Sequence, residues 1–348
     1  MEKSMAWRQW TDRGIFLLSI LLSRLINGKK DPKLLKFSKI IVFKEDEIGD
    51  LVNVTPALAA LRRQFPEAEI VLVTQKFGLN LLKHNRDINR VTDDYSTLKG
   101  KYDLIIDLRG TTKSTWFAIS NHPLYRLDRG TVRYRNRKAG KHPREIETNL
   151  QVIEPVIASE NKIHDPVIIV TEEERNEAER FLKERNLNKF ALFHTGARRI
   201  LKKWPLERVA EIMKMLHARY ELAPVIVGDN NDSEDLQQLQ PMVPFEIHQA
   251  AGKISLLTFA AMCEKATLFI GNDSGPFHIA AAMGTKSIAL FGPGDPVFHP
   301  HQPNARFIHH VLECNPCDMV HCKYPENPCI RRIVVEEVEK EIAFLIGQ

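Results

Sequence analysis

The chain has 348 residues, of which 43% are hydrophobic and 27% charged, a balance that excludes wholesale disorder. It is too long for one ordinary core and suits two domains of about 150 residues each. The net charge of +5 is modest but gathered in one place: eight Lys or Arg lie between Arg126 and Arg144 against one acid, Asp128, and the rest of the chain is slightly acidic.

In chain order, the first feature is an apolar run from Gly14 to Leu22, preceded by Trp7 and Trp10 and followed by Arg24. A bilayer span needs about 20 apolar residues, so this run is too short, and no small-residue cleavage site follows it. Two readings stay open for this extension, residues 1–38: an amphipathic helix lying in a membrane interface, or a helix packed on the folded body.

From Lys39 the pattern alternates between strand and helix. Lys39 to Phe43 is a β-branched run that predicts a buried strand, and Glu45 to Asp50 is a polar turn. Leu51 to Arg63 has helical period and stops before Pro66. Glu69 to Thr74 and Tyr102 to Leu108 read as further strands, and Glu145 to Val156 as a helix. Phe190 to Phe193, Pro224 to Val227, Thr267 to Ile270 and Ser287 to Phe291 repeat the strand signal, with helical stretches at Leu206–Arg219, Ser255–Glu264 and Pro276–Met283 between them. The expected fold class is α/β, with two doubly wound parallel-sheet domains at 39–165 and 166–333 facing a cleft, and a helix over 334–348 closing the chain.

The segment that carries most chemistry is Phe269 to Pro296. A strand ends there in the turn Asn272-Asp273-Ser274-Gly275, and a helix opens at Pro276, where proline suits the first position. A helix start exposes unpaired amides and partial positive charge, which favours an anion such as a diphosphate. Gly275 permits close backbone approach, and His278 stands one turn in. Asp273 repels phosphate, so it is assigned to capping the helix or orienting a hydroxyl. A loop with Thr195 and Gly196 follows the strand at 190–193, and Lys202 and Lys203 precede Trp204-Pro205, where a lysine would neutralise a leaving phosphate.

Three pieces, IGDLVNVTPALAALRRQFPEAEI, KKWP and NDSGPFHIAAAMGTKSIALFGPGDP, resemble glycosyltransferase family 9, the ADP-heptose transferases of lipopolysaccharide core assembly. The resemblance implies two Rossmann-like domains in the GT-B arrangement and an inverting transfer of heptose from ADP-heptose to the core on lipid A. It implies that Asp50 is the general base, that Lys202 binds phosphate, and that Asp273, Ser274, Gly275 and His278 form the diphosphate loop. It also places Asp229 and Glu234 near the nucleoside ribose. No metal or other cofactor is implied, because Lys202, His278 and the helix start would stabilise the departing ADP. The reaction implied is at the cytoplasmic face of the inner membrane.

The basic run lies where this family meets its acceptor, so Arg126, Arg129, Arg133, Arg135 and His142 are expected to attract an anionic glycolipid, or else to form a solvated basic loop. Nucleic acid is not expected, since stacking aromatics are sparse and no nucleic-acid motif is present. Cys314, Cys317, Cys322 and Cys329 leave three readings open: reduced structural thiols, a zinc knot, or a redox-labile pair. Three other functions share these features: transfer from another nucleotide sugar or to another glycan, a nucleotide-sugar epimerase or hydrolase, and a non-catalytic nucleotide binder.

Overall fold

The computed structural model describes residues 17–161, 165–300, 302–317 and 320–347, and its contacts divide the chain after Pro166 into two compact units. The apolar runs form two parallel sheets, each flanked by helices.

The first unit starts with a helix over residues 17–27 (α1); residues 14–16 of the apolar run, with Trp7 and Trp10, lie outside the described chain. There follow β1 (Lys39–Phe43), α2 (Ile48–Val52), α3 (Thr55–Gln64), β2 (Glu69–Val73), α4 (Lys76–Leu81), β3 (Arg90–Thr92), β4 (Leu104–Asp107), α5 (Thr112–Asn121), β5 (Tyr125–Asp128), α6 (Arg129–Lys138) and α7 (Glu145–Ile153). The sheet order is β3-β2-β1-β4-β5, all parallel. β1 is buried on both faces except at Lys39, which is what its unbroken apolar run requires of a central parallel strand. The single helix expected over 51–63 is two, because Pro56 in the first turn of α3 cannot continue the helix before it. The basic run at 126–138, which allowed a solvated loop, is instead a strand and a ten-residue helix. Asp128 ends the strand and caps the helix, accepting a bond from Thr131 N.

The second unit contains α8 (Glu172–Glu184), β6 (Phe190–His194), α9 (Leu206–Tyr220), β7 (Ala223–Ile226), α10 (Asp232–Leu239), β8 (His248–Gln249), α11 (Leu256–Lys265), β9 (Leu268–Asn272), α12 (Gly275–Ala282), β10 (Ser287–Phe291), β11 (Ala305–His309) and α13 (Val335–Ile346). Its six parallel strands run β11-β10-β9-β6-β7-β8. α9 buries Val209, Ile212, Met213 and Leu216, the i, i+3, i+4, i+7 stripe of an amphipathic helix, against Phe193 and Ile226. α13 adds Val338, Ile342 and Leu345 to the same core. Both sheets place their loop-bearing carboxyl ends after β1, β4, β6 and β9, where an open parallel sheet binds ligands. No helix among the described residues is long and apolar enough to cross a membrane.

Candidate active site

In the first unit, the apolar strand β1 delivers Lys44 directly after its last residue, with the side chain fully buried. A buried ammonium needs partners, and here carboxylates supply them. Lys44 Nζ lies 2.8 Å from Glu145 Oε1, 2.9 Å from Asp46 Oδ2 and 3.5 Å from Asp50 Oδ1. Arg129 bonds the other oxygen of Glu145, and Arg109 Nε sits 3.0 Å from Asp46 Oδ1. Asp50 occupies the first turn of α2, whose N-cap is Glu47 rather than Asp50 itself.

The environments of the two central carboxyls separate them. Burial pushes Asp50 up from 3.8 to about 6; Lys44 opposes the shift, while Glu145 and Asp46 add to it. Burial also acts to raise Glu145, but Lys44 and Arg129 together outweigh it and hold that carboxyl below its ordinary range. Glu145 is therefore a fixed anion, and Asp50 is a carboxylate of raised basicity that is still mostly ionised at pH 7. A carboxylate whose pKa approaches the working pH is a better proton acceptor than a surface aspartate.

In the second unit, Ser274 is the N-cap of α12, yet its side chain does not cap the helix. The hydroxyl turns inward, donating to the Asn272 carbonyl at 3.0 Å and standing 2.9 Å from His194 Nδ1. The first amides of α12 thus keep no hydrogen bond from their own N-cap side chain, which leaves them suited to an anion. Lys202 Nζ reaches 2.5 Å from Asp273 Oδ2, immediately before this turn. Asn272 ties the neighbouring loop down, donating to the carbonyls of Thr195 and Gly196 at 2.8 and 3.2 Å and accepting from Trp204 N at 3.1 Å. Gly275 opens the helix, and His278 is buried one turn in, edge-on to Phe277.

Beneath these loops Asp232 fills a space that only glycine leaves. A Cβ on Gly196 would stand 1.8 Å from Asp232 Oδ1, and one on Gly228, at φ +139°, 1.8 Å from Oδ2. Burial raises Asp232 to about 6 and lowers the nearby His194 to about 4, so His194 is neutral at pH 7. Asp235 accepts from the Thr195 hydroxyl at 2.8 Å and pairs with Lys203 at 2.8 Å.

Sequence comparison decides the family. A model described as glycosyltransferase family 9 (heptosyltransferase) matches residues 95–327, about two-thirds of the chain. The chain belongs to glycosyltransferase family 9. Among curated relatives it is 26% identical to lipopolysaccharide heptosyltransferase 3 of Escherichia coli over 290 residues, covering 72% of this chain and 82% of the relative. Among solved structures it resembles a family 9 glycosyltransferase from Veillonella parvula (TM-score 0.75, 23% identity, 90% of this chain and 98% of that one). It also resembles the E. coli ADP-heptose lipopolysaccharide heptosyltransferase II (TM-score 0.69, 20% identity, 89% and 99%). These likenesses establish the Rossmann-like α/β fold of the family, and the chain is a glycosyltransferase.

Within this family 9 fold, the structure redistributes the residues singled out in the sequence. Asp50 gathers with Lys44, and Lys202, Asp273, Ser274, Gly275 and His278 gather around the start of α12. Asp273, assigned above to a helix cap or a hydroxyl, pairs with Lys202 instead of capping α12. Asp229 and Glu234 are exposed, while the carboxylates turned toward Thr195 and His194 are Asp232 and Asp235, one helical step apart on α10.

The basic run needs correction. Arg126 is no part of a surface patch: it is 1% exposed, with its guanidinium 2.8 Å from Asp107 Oδ2 and bonded to Ser19 and Ser23 of α1. Arg129 is likewise interior, spent on Glu145 and the Leu108 carbonyl. Both follow the inward side of β5 and the start of α6, where a cation survives burial only beside a carboxylate. Arg133, Arg135 and His142 remain exposed, with Arg137, Lys138 and Lys141 beside them.

Lys44, Asp46, Arg109 and Glu145 were not singled out from the sequence. The one signal for them is a lone lysine closing an apolar strand, which implies a buried acid without saying where it comes from. The four clustered cysteines form no disulfide, and among the described residues no three His, Cys, Asp or Glu side chains gather closely enough to hold a metal ion.

Proposed function

We propose that this family 9 enzyme transfers heptose from ADP-heptose to the lipopolysaccharide core on lipid A, with inversion at the anomeric carbon, at the inner face of the inner membrane. The acceptor hydroxyl oxygen attacks the anomeric carbon and its proton passes to Asp50. The bond from that carbon to the diphosphate breaks, and ADP leaves with the electron pair. Lys202 and the uncapped amides of α12 hold the diphosphate as its charge grows, and Ser274, Gly275 and His278 line its approach. Thr195 and Gly196, braced by Asn272, bound the same donor site, with Asp229 and Glu234 at the ribose. The exposed cations Arg133 and Arg135, with His142, draw the anionic glycolipid.

The observation that carries this reading is the Asp50 carboxylate, lifted by burial to about 6 yet kept ionised beside Lys44. A purely structural ion-pair partner would be held down, as Glu145 is. The relatives named above, called lipopolysaccharide heptosyltransferase and ADP-heptose lipopolysaccharide heptosyltransferase, support the choice of donor and acceptor.

The test is ADP release from ADP-heptose by the purified chain, with and without a heptose-deficient lipopolysaccharide acceptor, beside Asp50→Ala. Release only with acceptor, reduced about 100-fold or more in the variant, is expected. Release without acceptor would replace transfer by donor hydrolysis or epimerisation. Donor binding with no turnover on any truncated core would overturn the acceptor assignment.

A further inference from the structure

Helix α1 carries apolar side chains on its outward face as well as on its inward one. Its inward face is mixed: Ile20 is buried beside Ser19 and Ser23, and the Arg126 guanidinium bonds Ser19 O at 2.9 Å, Ser19 Oγ at 2.9 Å and Ser23 Oγ at 2.6 Å. The Asn27 side chain then exchanges two 2.8 Å bonds with the backbone of Arg126. Its outward face is leucine: Leu17, Leu18, Leu21 and Leu25 are 61, 50, 54 and 71% exposed. Their spacing puts all four on one side of the helix. Ile20 and Leu22 anchor the helix by apolar burial, and the guanidinium fixes its serines beside them, so the outward leucines are left without an apolar partner of their own among the described residues.

The leucines do not stand alone. Leu22 packs against the cluster that contains Ala118 of α5, and α5 turns Trp116 and Ile119 outward, 66 and 38% exposed. Leu124 is 44% exposed, and its carbonyl takes the Lys30 ammonium at 2.9 Å. Arg24, on α1 itself, and Lys29, Lys30, Lys33 and Lys36, in the segment that follows it, are all exposed, against the single acid Asp31 in residues 17–36. Exposed leucines with a tryptophan and a cationic rim match the interface of a bilayer carrying anionic headgroups. A second copy of the chain is disfavoured as the occupant, because a two-fold contact through this face would set the same lysines against each other.

We infer that the outward leucine face of α1, clamped by Arg126 and rimmed by Arg24, Lys29, Lys30, Lys33 and Lys36, is a docking surface for an anionic lipid bilayer. This rests on the proposed function only in needing a lipid-borne acceptor, and it names the surface that meets the lipid.

The test is flotation of the full chain with phosphatidylethanolamine–phosphatidylglycerol vesicles and, separately, with phosphatidylcholine vesicles. The variants are Leu21→Glu/Leu25→Glu and Lys29→Glu/Lys33→Glu, all exposed positions whose folding is checked by thermal melting. The wild-type chain is expected to float with the anionic vesicles and not with the neutral ones, and each variant to lose about tenfold or more of that partition. ADP release with a delipidated core acceptor is expected to stay at the wild-type level in both. A wild-type chain that stays with the soluble fraction, or variants that float equally well, would overturn the inference. So would a leucine variant that turns a dimer into a monomer on gel filtration while still floating. Flotation is read without turnover, so loss of transfer with flotation intact would count against the proposed reaction and not against the surface.

Discussion

The Lys44 ammonium stands 3.5 Å from Asp50 Oδ1, near enough to favour the carboxylate but beyond a good hydrogen bond, since its close contacts go to Glu145 and Asp46. Asp50 thus sits in a strong field with its side chain still partly exposed. Its folded pKa is about 6, and the active form is the ionised one, so kcat/KM should fall as pH drops through about 6 rather than through the 3.8 of an ordinary aspartate. Lys44→Met removes the group that opposes the burial shift, so the acidic limb should move to higher pH. A profile measured on both enzymes checks this; an acidic limb near 4 in the wild type would remove Asp50 from the base role.

The same shift has a cost in stability. A carboxyl whose pKa is higher in the folded chain than in the unfolded one opposes folding above that pKa. The penalty fades as pH falls from about 6 toward 3.8, where both states become protonated. Asp50→Asn should therefore melt above the wild type at pH 8, by about 1–3 kcal/mol, with a difference that shrinks as the solution is taken to pH 5. Thermal melts of the pair across this range decide the matter, and an Asn variant that melts lower at pH 8 would contradict it.

Lys202 and Asp273 pair at 2.5 Å, so a diphosphate arriving at α12 competes with Asp273 for the ammonium. Lys202→Met should weaken ADP binding about 10- to 100-fold, the worth of one charge-assisted bond. Asp273→Asn should bind ADP at least as tightly as the wild type, because it frees the lysine and removes a like charge. Calorimetric titration of ADP into both variants separates the two roles.

Arg126 and the exposed Arg135 of α6 should respond in opposite ways. Arg126→Met strands the fully buried Asp107, at a cost of about 3–5 kcal/mol, and should lower the melting temperature with little change in donor KM at permissive temperature. Arg135→Glu should leave the melting temperature nearly unchanged and raise the acceptor KM, most at low salt. Melting curves and steady-state kinetics with varied acceptor distinguish them.

The strands were readable because a buried parallel strand writes itself as a continuous apolar run: β1 and β10 begin and end where those runs do. The start of α12 was readable for a local reason too, since a turn and its helix lie within a few residues. The Lys44–Glu145 pair was not, because its partners are 101 residues apart and neither has a local pattern. The basic run misled for a different reason. Its charges hide Val132 and Asn136, the buried i, i+4 positions that make α6 a helix, and nothing in the run itself tells that Arg126 has Asp107 to face. On α10, residue type alone did not separate Glu234 from Asp232 and Asp235; only the helical turn does.

The clamp on α1 bears on how the chain can be handled. Arg126 spends three of its bonds on Ser19 and Ser23, so deleting α1 to suppress aggregation would leave a guanidinium and Asp107 facing an emptied groove. Asp107 also accepts from the Arg109 and Gly110 amides and from Ser114, and Arg109 in turn holds Asp46 beside Lys44. The damage would then be felt three ion pairs beyond Arg109, at Asp50. Solubility is better sought by changing the leucines and keeping the serines.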